Sequence, residues 1–265
     1  QVVDAAISAN LFVIVNIHND GGNGVEDMWL DITKTGNEFT AVQNKFAGVW
    51  SSIANTFADY DQKLIFEGFN ELNNGNYNST PSTSEIANVN SLNQAFVTAV
   101  RNSGGENKKN QDRVLILNGY NADIDNTVNG FAKPDDKTAS NVIIENRLML
   151  SVHYYDPYDF ALNENGTSEW DADTEYMEGQ LQKIVTFANG LNMPVVIGEY
   201  GAIDKNNIDS REEYIVSFNA IATELGIVTA YWDNGNSGQY GFAIFDRTNN
   251  NVTTAGQVLL SSIIG

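Results

Sequence analysis

Two glutamates are placed to do chemistry together. Glu71 ends the apolar part of KLIFEGFNELNNG (63–75), where Leu64-Ile65-Phe66 runs through Gly68 to a polar finish at Asn70-Glu71. Glu199 ends a second such run, PVVIGEYG (194–201). A buried parallel strand reads as a near-continuous apolar segment, so a carboxylate at its last residue points into the cleft over the sheet edge. Two carboxyl groups at two such strand ends suit acid–base and nucleophilic work on one bond. Retaining cleavage of a glycosidic bond needs one carboxylic acid to protonate the leaving oxygen and one carboxylate to attack the anomeric carbon, about 5–5.5 Å away. The charge of one glutamate helps to keep the other protonated.

Several elements must hold these residues in place. Strands are expected at 11–18, ending at His18, and then at 63–71, 113–120, 149–155, 194–200 and 227–234. Between them the spacing of apolar residues predicts helices. The clearest covers 38–60, where Phe39, Val42, Phe46, Val49, Ile53 and Phe57 form one stripe. Others are expected at 84–103, stopped by Gly104-Gly105, and at 174–189. A further helix opens at a Ser210/Glu213 capping box and ends at Gly226. The chain starts in a helix end that Asn10 can close in the left-handed conformation, and it finishes in a helix over 258–264. The loop NDGGNG follows His18, and 121–147 hold at most a short helix. Strand–helix alternation of this kind predicts an α/β fold with a parallel sheet, and 265 residues suit a single barrel-sized domain, 1–265.

In such folds ligands bind at the C-terminal ends of the strands. Those ends carry His18, Asn70 and Glu71, Asn118, His153 and Tyr155, Glu199, and Trp232 with Asp233-Asn234. Arg113 and Arg147 precede their strands and fall at the opposite, structural face. His18 and His153 could each be core histidines, and Tyr155 and Trp232 rim packing, while Asn118 fits either role. A core-only explanation, however, leaves charged groups buried at a rim at considerable desolvation cost.

Composition narrows the function classes. Fourteen Lys+Arg against 34 Asp+Glu give a net charge of −20, which disfavours nucleic acid and anionic membranes as partners. With no cysteine there is neither a disulfide framework nor a thiolate metal site. Asp233-Asn234-Gly235-Asn236 offers oxygen ligands but lacks the closing Glu of a calcium loop and reads as a turn, so no metal or cofactor is expected. No apolar run reaches membrane-spanning length, and the N-terminus carries no signal-peptide pattern. The four Trp and 11 Tyr are enough to line a sugar-binding cleft.

Taken together and in order, NIH, GFNE, SVHYYDPYDF, GEYG and YWDNG resemble glycoside hydrolase family 5. The closest resemblance is to subfamily 4, endo-β-1,4-glucanases of which many also act on xyloglucan or mixed-linkage glucan. The resemblance implies a (β/α)8 TIM-barrel fold, a retaining endo-β-1,4-glucanase, a β-glucan polysaccharide as substrate, and a secreted, cell-surface or periplasmic setting. It implies Glu71 as acid/base, Glu199 as nucleophile and Asn70 as the contact to the sugar 2-hydroxyl. His18, His153 and Tyr155 resemble the positioning residues around them, and Trp232 the aromatic platform. Trp29 and Trp170, in rim loops, would stack at other subsites or pack their loops. Asn19 departs from the pattern, standing where the family commonly has a second His. Six strands are counted where the family barrel has eight, so the first two βα units are expected to be lacking, with a family arginine near the nucleophile. Weaker activity follows from that expectation, as does a sheet edge either left open with local rearrangement or covered by another chain, as in a homo-oligomer. The alternatives are a weakened or inactive glycan-binding derivative, or a β-mannanase using the same catalytic residues.

Overall fold

Short apolar runs alternate with longer amphipathic segments, and the chain folds them as strands and helices in turn. The computed structural model describes residues 1–21, 28–77, 80–105 and 109–264. Of the expected loop NDGGNG, residues 22–24 lie outside the described residues. The chain divides into two compact units, 1–151 with 190–194, and 152–189 with 195–265.

The first unit contains α1 (Val2–Ser8), β1 (Val13–Asn16), α2 (Gly36–Thr56), β2 (Leu64–Glu67), α3 (Thr83–Arg101), α4 (Lys109–Asp112), β3 (Leu115–Asn118), α5 (Ile124–Gly130) and the start of β4 (Leu148–Tyr154). The strands pair in parallel in chain order, with Val13 opposite Leu64, Phe66 opposite Leu115, and Leu115 opposite Leu148. As expected, Asn10 closes α1 at φ 66°, donating to Ile7 C=O while Leu11 donates to Ala6 C=O. Trp50 of α2 is fully buried, 5.5 Å from the ring of Phe66 and 4.5 Å from that of Phe96, and donates to Gly68 C=O. At Gly68 a Cβ would stand 3.1 Å from the Phe96 ring, so the absent side chain lets α3 close on the end of β2. Ser82 and Glu85 build a capping box at the start of α3.

The second unit holds the end of β4, α6 (Tyr158–Ala161), α7 (Thr174–Gly190), β5 (Val195–Tyr200), α8 (Ile208–Glu224), β6 (Val228–Tyr231), the hairpin β7 (Phe245–Asp246) with β8 (Asn251–Val252), and α9 (Thr254–Ile264). β5 and β6 are parallel, with an irregularity between Ile197 and Tyr200. Phe218 of α8 stacks on Tyr154 at 5.3 Å and on Tyr200 at 4.2 Å. Because side chains alternate along a strand, this commits His153, Tyr155 and Glu199 to the opposite face.

Some sequence expectations need correction. The Ser210/Glu213 capping box does not form: α8 opens at Ile208 with Asn207 as its N-cap residue, whose side chain instead accepts from Lys205 N–H and donates to Ser168 C=O. The final helix begins at Thr254, where Thr253 Oγ1 accepts from Gly256 N–H, and the β7–β8 hairpin was not foreseen. Strands are shorter than expected, since β1 ends at Asn16 and β2 at Glu67. His18 and Glu71 therefore lie in the segments that follow these strands. No helix among the described residues is long and apolar enough to cross a membrane.

Arg113 sits at the entry to β3, the structural end anticipated for it, with no exposed surface. Its guanidinium donates to the carbonyls of Phe57, Tyr60, Asp61 and Leu64 and to Asn110 Oδ1. The planar five-donor fork of arginine suits that ring of acceptors, whereas the three donors of lysine do not. Arg113→Lys should therefore leave at least one buried carbonyl unpaired and lower the unfolding free energy by about 1–3 kcal/mol, read by urea denaturation. Unchanged stability would show that this carbonyl ring does not depend on the fork.

Candidate active site

In the first unit the end of β2 turns into a loop that carries Asn70 and Glu71, both half-buried. The loop has lost strand pairing, so other groups must hold its backbone. Asn118, the last residue of β3 and itself 1% exposed, donates through Nδ2 to Phe69 C=O at 2.6 Å and Asn70 C=O at 3.1 Å. Asn93 of α3 steadies the same residue by donating to Asn118 C=O. Asn70 N–H reaches back to Ile17 C=O, and Asn121 N–H donates to Leu72 C=O. Asn73 bridges Glu71 C=O and Asn121 Oδ1, and Asn74 N–H donates to the Tyr120 hydroxyl. Asn118, open to either role on sequence grounds, thus acts as a clamp on the segment bearing Glu71.

Asn16 links His18 to a carboxylate that sequence reasoning passed over. Glu67, 7% exposed, accepts from Asn16 Nδ2 at 2.9 Å, and the same amide nitrogen lies 3.5 Å from His18 Nδ1. Its signal in the sequence is LIFEGFNE, where a charged residue interrupts an apolar strand. Trp29, half-buried, donates from its indole to Asp20, and the Lys45 ammonium lies 4.2 Å from its ring centroid.

The second unit gathers His153, Tyr155 and Glu199. Glu199, 8% exposed, accepts from the Tyr155 hydroxyl at Oε2 over 2.9 Å, and His153 Nδ1 lies 3.5 Å from the same oxygen. Hydrogen bonding from a phenol favours the ionised form of a carboxylate, so the arrangement suits a nucleophile or base. Behind these groups Tyr154 and Tyr200 face α8, and burial pushes both phenols up, Tyr200 to about 12. They serve as neutral packing, not as proton carriers.

Trp232 is half-buried at the end of β6, its backbone N–H bonded to Tyr200 C=O. Asp233 behaves as the turn former anticipated: its carboxylate accepts from the backbone N–H groups of Gly235, Ile244 and Phe245. Trp170, for which stacking and loop packing were both open, lies against another ring. It is 7% exposed with its ring edge-on to Tyr214 at 5.5 Å, which is the loop-packing alternative.

Comparison with known proteins bears on this assembly of residues. A model of the cellulase family, glycosyl hydrolase family 5, matches residues 1–238. Endoglucanase A of Paenibacillus barcinonensis is 38% identical, aligned over 96% of this chain and 67% of its own length. The xyloglucan-specific endo-beta-1,4-glucanase BoGH5A of Bacteroides ovatus is 36% identical over 93% of this chain and 50% of its own length. This chain thus spans only part of each of these relatives. The solved family 5 xyloglucanase from Paenibacillus pabuli, in complex with a ligand, superposes with a TM-score of 0.91 at 39% identity, covering 100% of this chain and 77% of that one. The fold is therefore α/β of the TIM-barrel type, with six parallel strands in one sheet among the described residues. On the match of the family model and the extent of these similarities, the chain belongs to glycoside hydrolase family 5.

Proposed function

We propose that the protein cleaves β-1,4-linked glucan at internal bonds with retention, Glu71 serving as acid/base and Glu199 as nucleophile. The observation that carries this reading is the hydrogen bond from Tyr155 Oη to Glu199 Oε2, beside His153, in a family 5 chain. An attacking carboxylate must be ionised, and a phenol donor favours that form. Glu71 belongs to a loop clamped by Asn118, which supports a fixed position for the group that delivers a proton.

The chemistry takes two displacements. Glu71 gives its proton to the glycosidic oxygen while a Glu199 oxygen bonds to the anomeric carbon, and the leaving sugar departs as an alcohol. An ester between Glu199 and the remaining sugar results. Glu71, now ionised, then takes a proton from water as the water oxygen attacks the anomeric carbon and Glu199 leaves as carboxylate. The resemblance assigns Asn70 to the sugar 2-hydroxyl, His18, His153 and Tyr155 to positioning, and Trp232 to stacking. The chemistry needs the two carboxylates about 5–5.5 Å apart across the sugar, a distance a crystal structure with bound cellotetraose measures.

Two of the similar proteins are named for xyloglucan, which supports that polymer as a substrate beside unbranched and mixed-linkage glucans. A polysaccharide does not cross a membrane, which supports action in a secreted or surface-bound state.

Reducing-sugar release from carboxymethylcellulose, lichenan and xyloglucan, with none from mannan, is the expected outcome. Release from mannan alone would replace this reading with a β-mannanase, and binding without release would replace it with a glycan-binding protein. Glu199→Gln should lower kcat roughly a thousandfold or more while cellotetraose binding by calorimetry is largely kept. Normal turnover by that variant would remove the assignment. Asn118→Ala should cost about 1–3 kcal/mol for each carbonyl left unpaired, lowering Tm and kcat together; a fully active variant would show that the clamp does not hold Glu71.

A further inference from the structure

The segment after β6, WDNGNSGQYGFAIF (232–245), is rich in Asn, Gly and Ser, yet it buries one large ring, that of Phe242 at 4% exposure. Both backbone polar groups of Phe242 are tied down. Its N–H donates to Asn234 Oδ1, and its C=O accepts from the Tyr231 hydroxyl, which in turn accepts from buried Arg211 Nη2 at 3.2 Å. Asp233 binds the two backbone N–H groups at 244 and 245, so the segment is pinned on both sides of the ring.

The space the ring occupies depends on a glycine. Gly201 has φ 146°, and a Cβ there would stand 3.0 Å from the Tyr231 ring and 3.3 Å from Phe242 Cδ1. Phe242 thus leans on a backbone two residues past Glu199. Its ring also meets that of Tyr155, at 6.1 Å and 67°, the edge-on arrangement favoured by aromatic pairs. Tyr155 follows the last residue of β4 and is only half-buried, so the strand alone does not fix its side chain.

We propose that Phe242 is a positioning residue that acts through Tyr155, holding the phenol hydroxyl on Glu199. The inference rests on Glu199 being the nucleophile for its kinetic consequences, but its geometric content stands apart from that reading. Phe242 touches no reacting atom. Its effect passes through one ring contact and one hydrogen bond, so it should vanish when the hydroxyl of Tyr155 is removed.

A double-mutant cycle of Tyr155→Phe and Phe242→Ala tests this. Phe242→Ala alone should lower kcat roughly three- to tenfold, the range of one edge-on aromatic contact, with KM changed less than about twofold. In the Tyr155→Phe background the same change should cost nothing further. If the two losses multiply, or if KM takes the loss, Phe242 is not acting through Tyr155 and the proposal is overturned. Phe242→Leu, which keeps the apolar filling, carries the same cycle where the alanine variant fails to fold.

A second readout needs no turnover. In protein labelled with 3-fluorotyrosine, the Tyr155 resonance, assigned by its loss in Tyr155→Phe, should shift or broaden in Phe242→Leu. An unchanged resonance would overturn the proposal even in an active enzyme. A shifted one would uphold the geometric claim even if no glucan were cleaved and the hydrolase reading failed.

Discussion

The ring of Phe218 lies between Tyr154 and Tyr200, and that stack decides which side chains of β4 and β5 can do chemistry. A strand offers its side chains to two faces in turn, so burying residue 154 against a helix commits 153 and 155 to the other side, and burying 200 does the same for 199. A one-residue slip of either strand would send the tyrosines outward and draw a carboxylate or an imidazole against α8. Such a slip strips a charged group of water without offering it a partner, at a cost that packing alone could not offset. The hydrophobic layer is therefore what holds the polar one in register.

The Glu71 loop is held by different means. Beyond Glu67 the backbone has left the sheet, and its order comes from amide side chains supplied by β3, α3 and the turn after β3. Asparagine is suited to this because one side chain both donates and accepts, and because it tolerates the left-handed backbone that Asn121 adopts at φ 58°. Asn73, which read from the sequence as a plain loop former, is in the folded chain part of that scaffold.

Local features were readable from the residues alone where the physics is local. Asn10 ended α1 because left-handed closure needs only the neighbouring turns, and the stripe from Phe39 to Phe57 marked α2 by its period. The order of strands and helices followed from the same periodicities. Whatever required a distant partner was harder to see. Strand ends were set too late at His18 and Glu71 because an apolar run does not reveal where its neighbour stops pairing. The capping pattern at Ser210 matched in letters but failed because α8 had already begun at Ile208, whereas the same pattern at Ser82 and Glu85 went unnoticed. Trp170 fitted stacking or loop packing equally well, because its edge-on contact with Tyr214 joins residues 44 apart. Glu67 and Phe242 were overlooked because their importance lies in contacts made with residues far along the chain.

The loop after β6 has a property that follows from where it is anchored. Its restraints gather at Asp233, Asn234 and Asn236 on one side, Asn236 C=O accepting from Ala243 N–H, and at Tyr240 to Phe245 on the other, while residues 237–239 are exposed. Lengthening a surface loop costs little entropy, and exposed tips are where insertions are best tolerated. The tip can therefore be extended or trimmed without disturbing the anchored ring beneath. Variation at the surface and constancy beneath it would then be properties of two ends of one short segment.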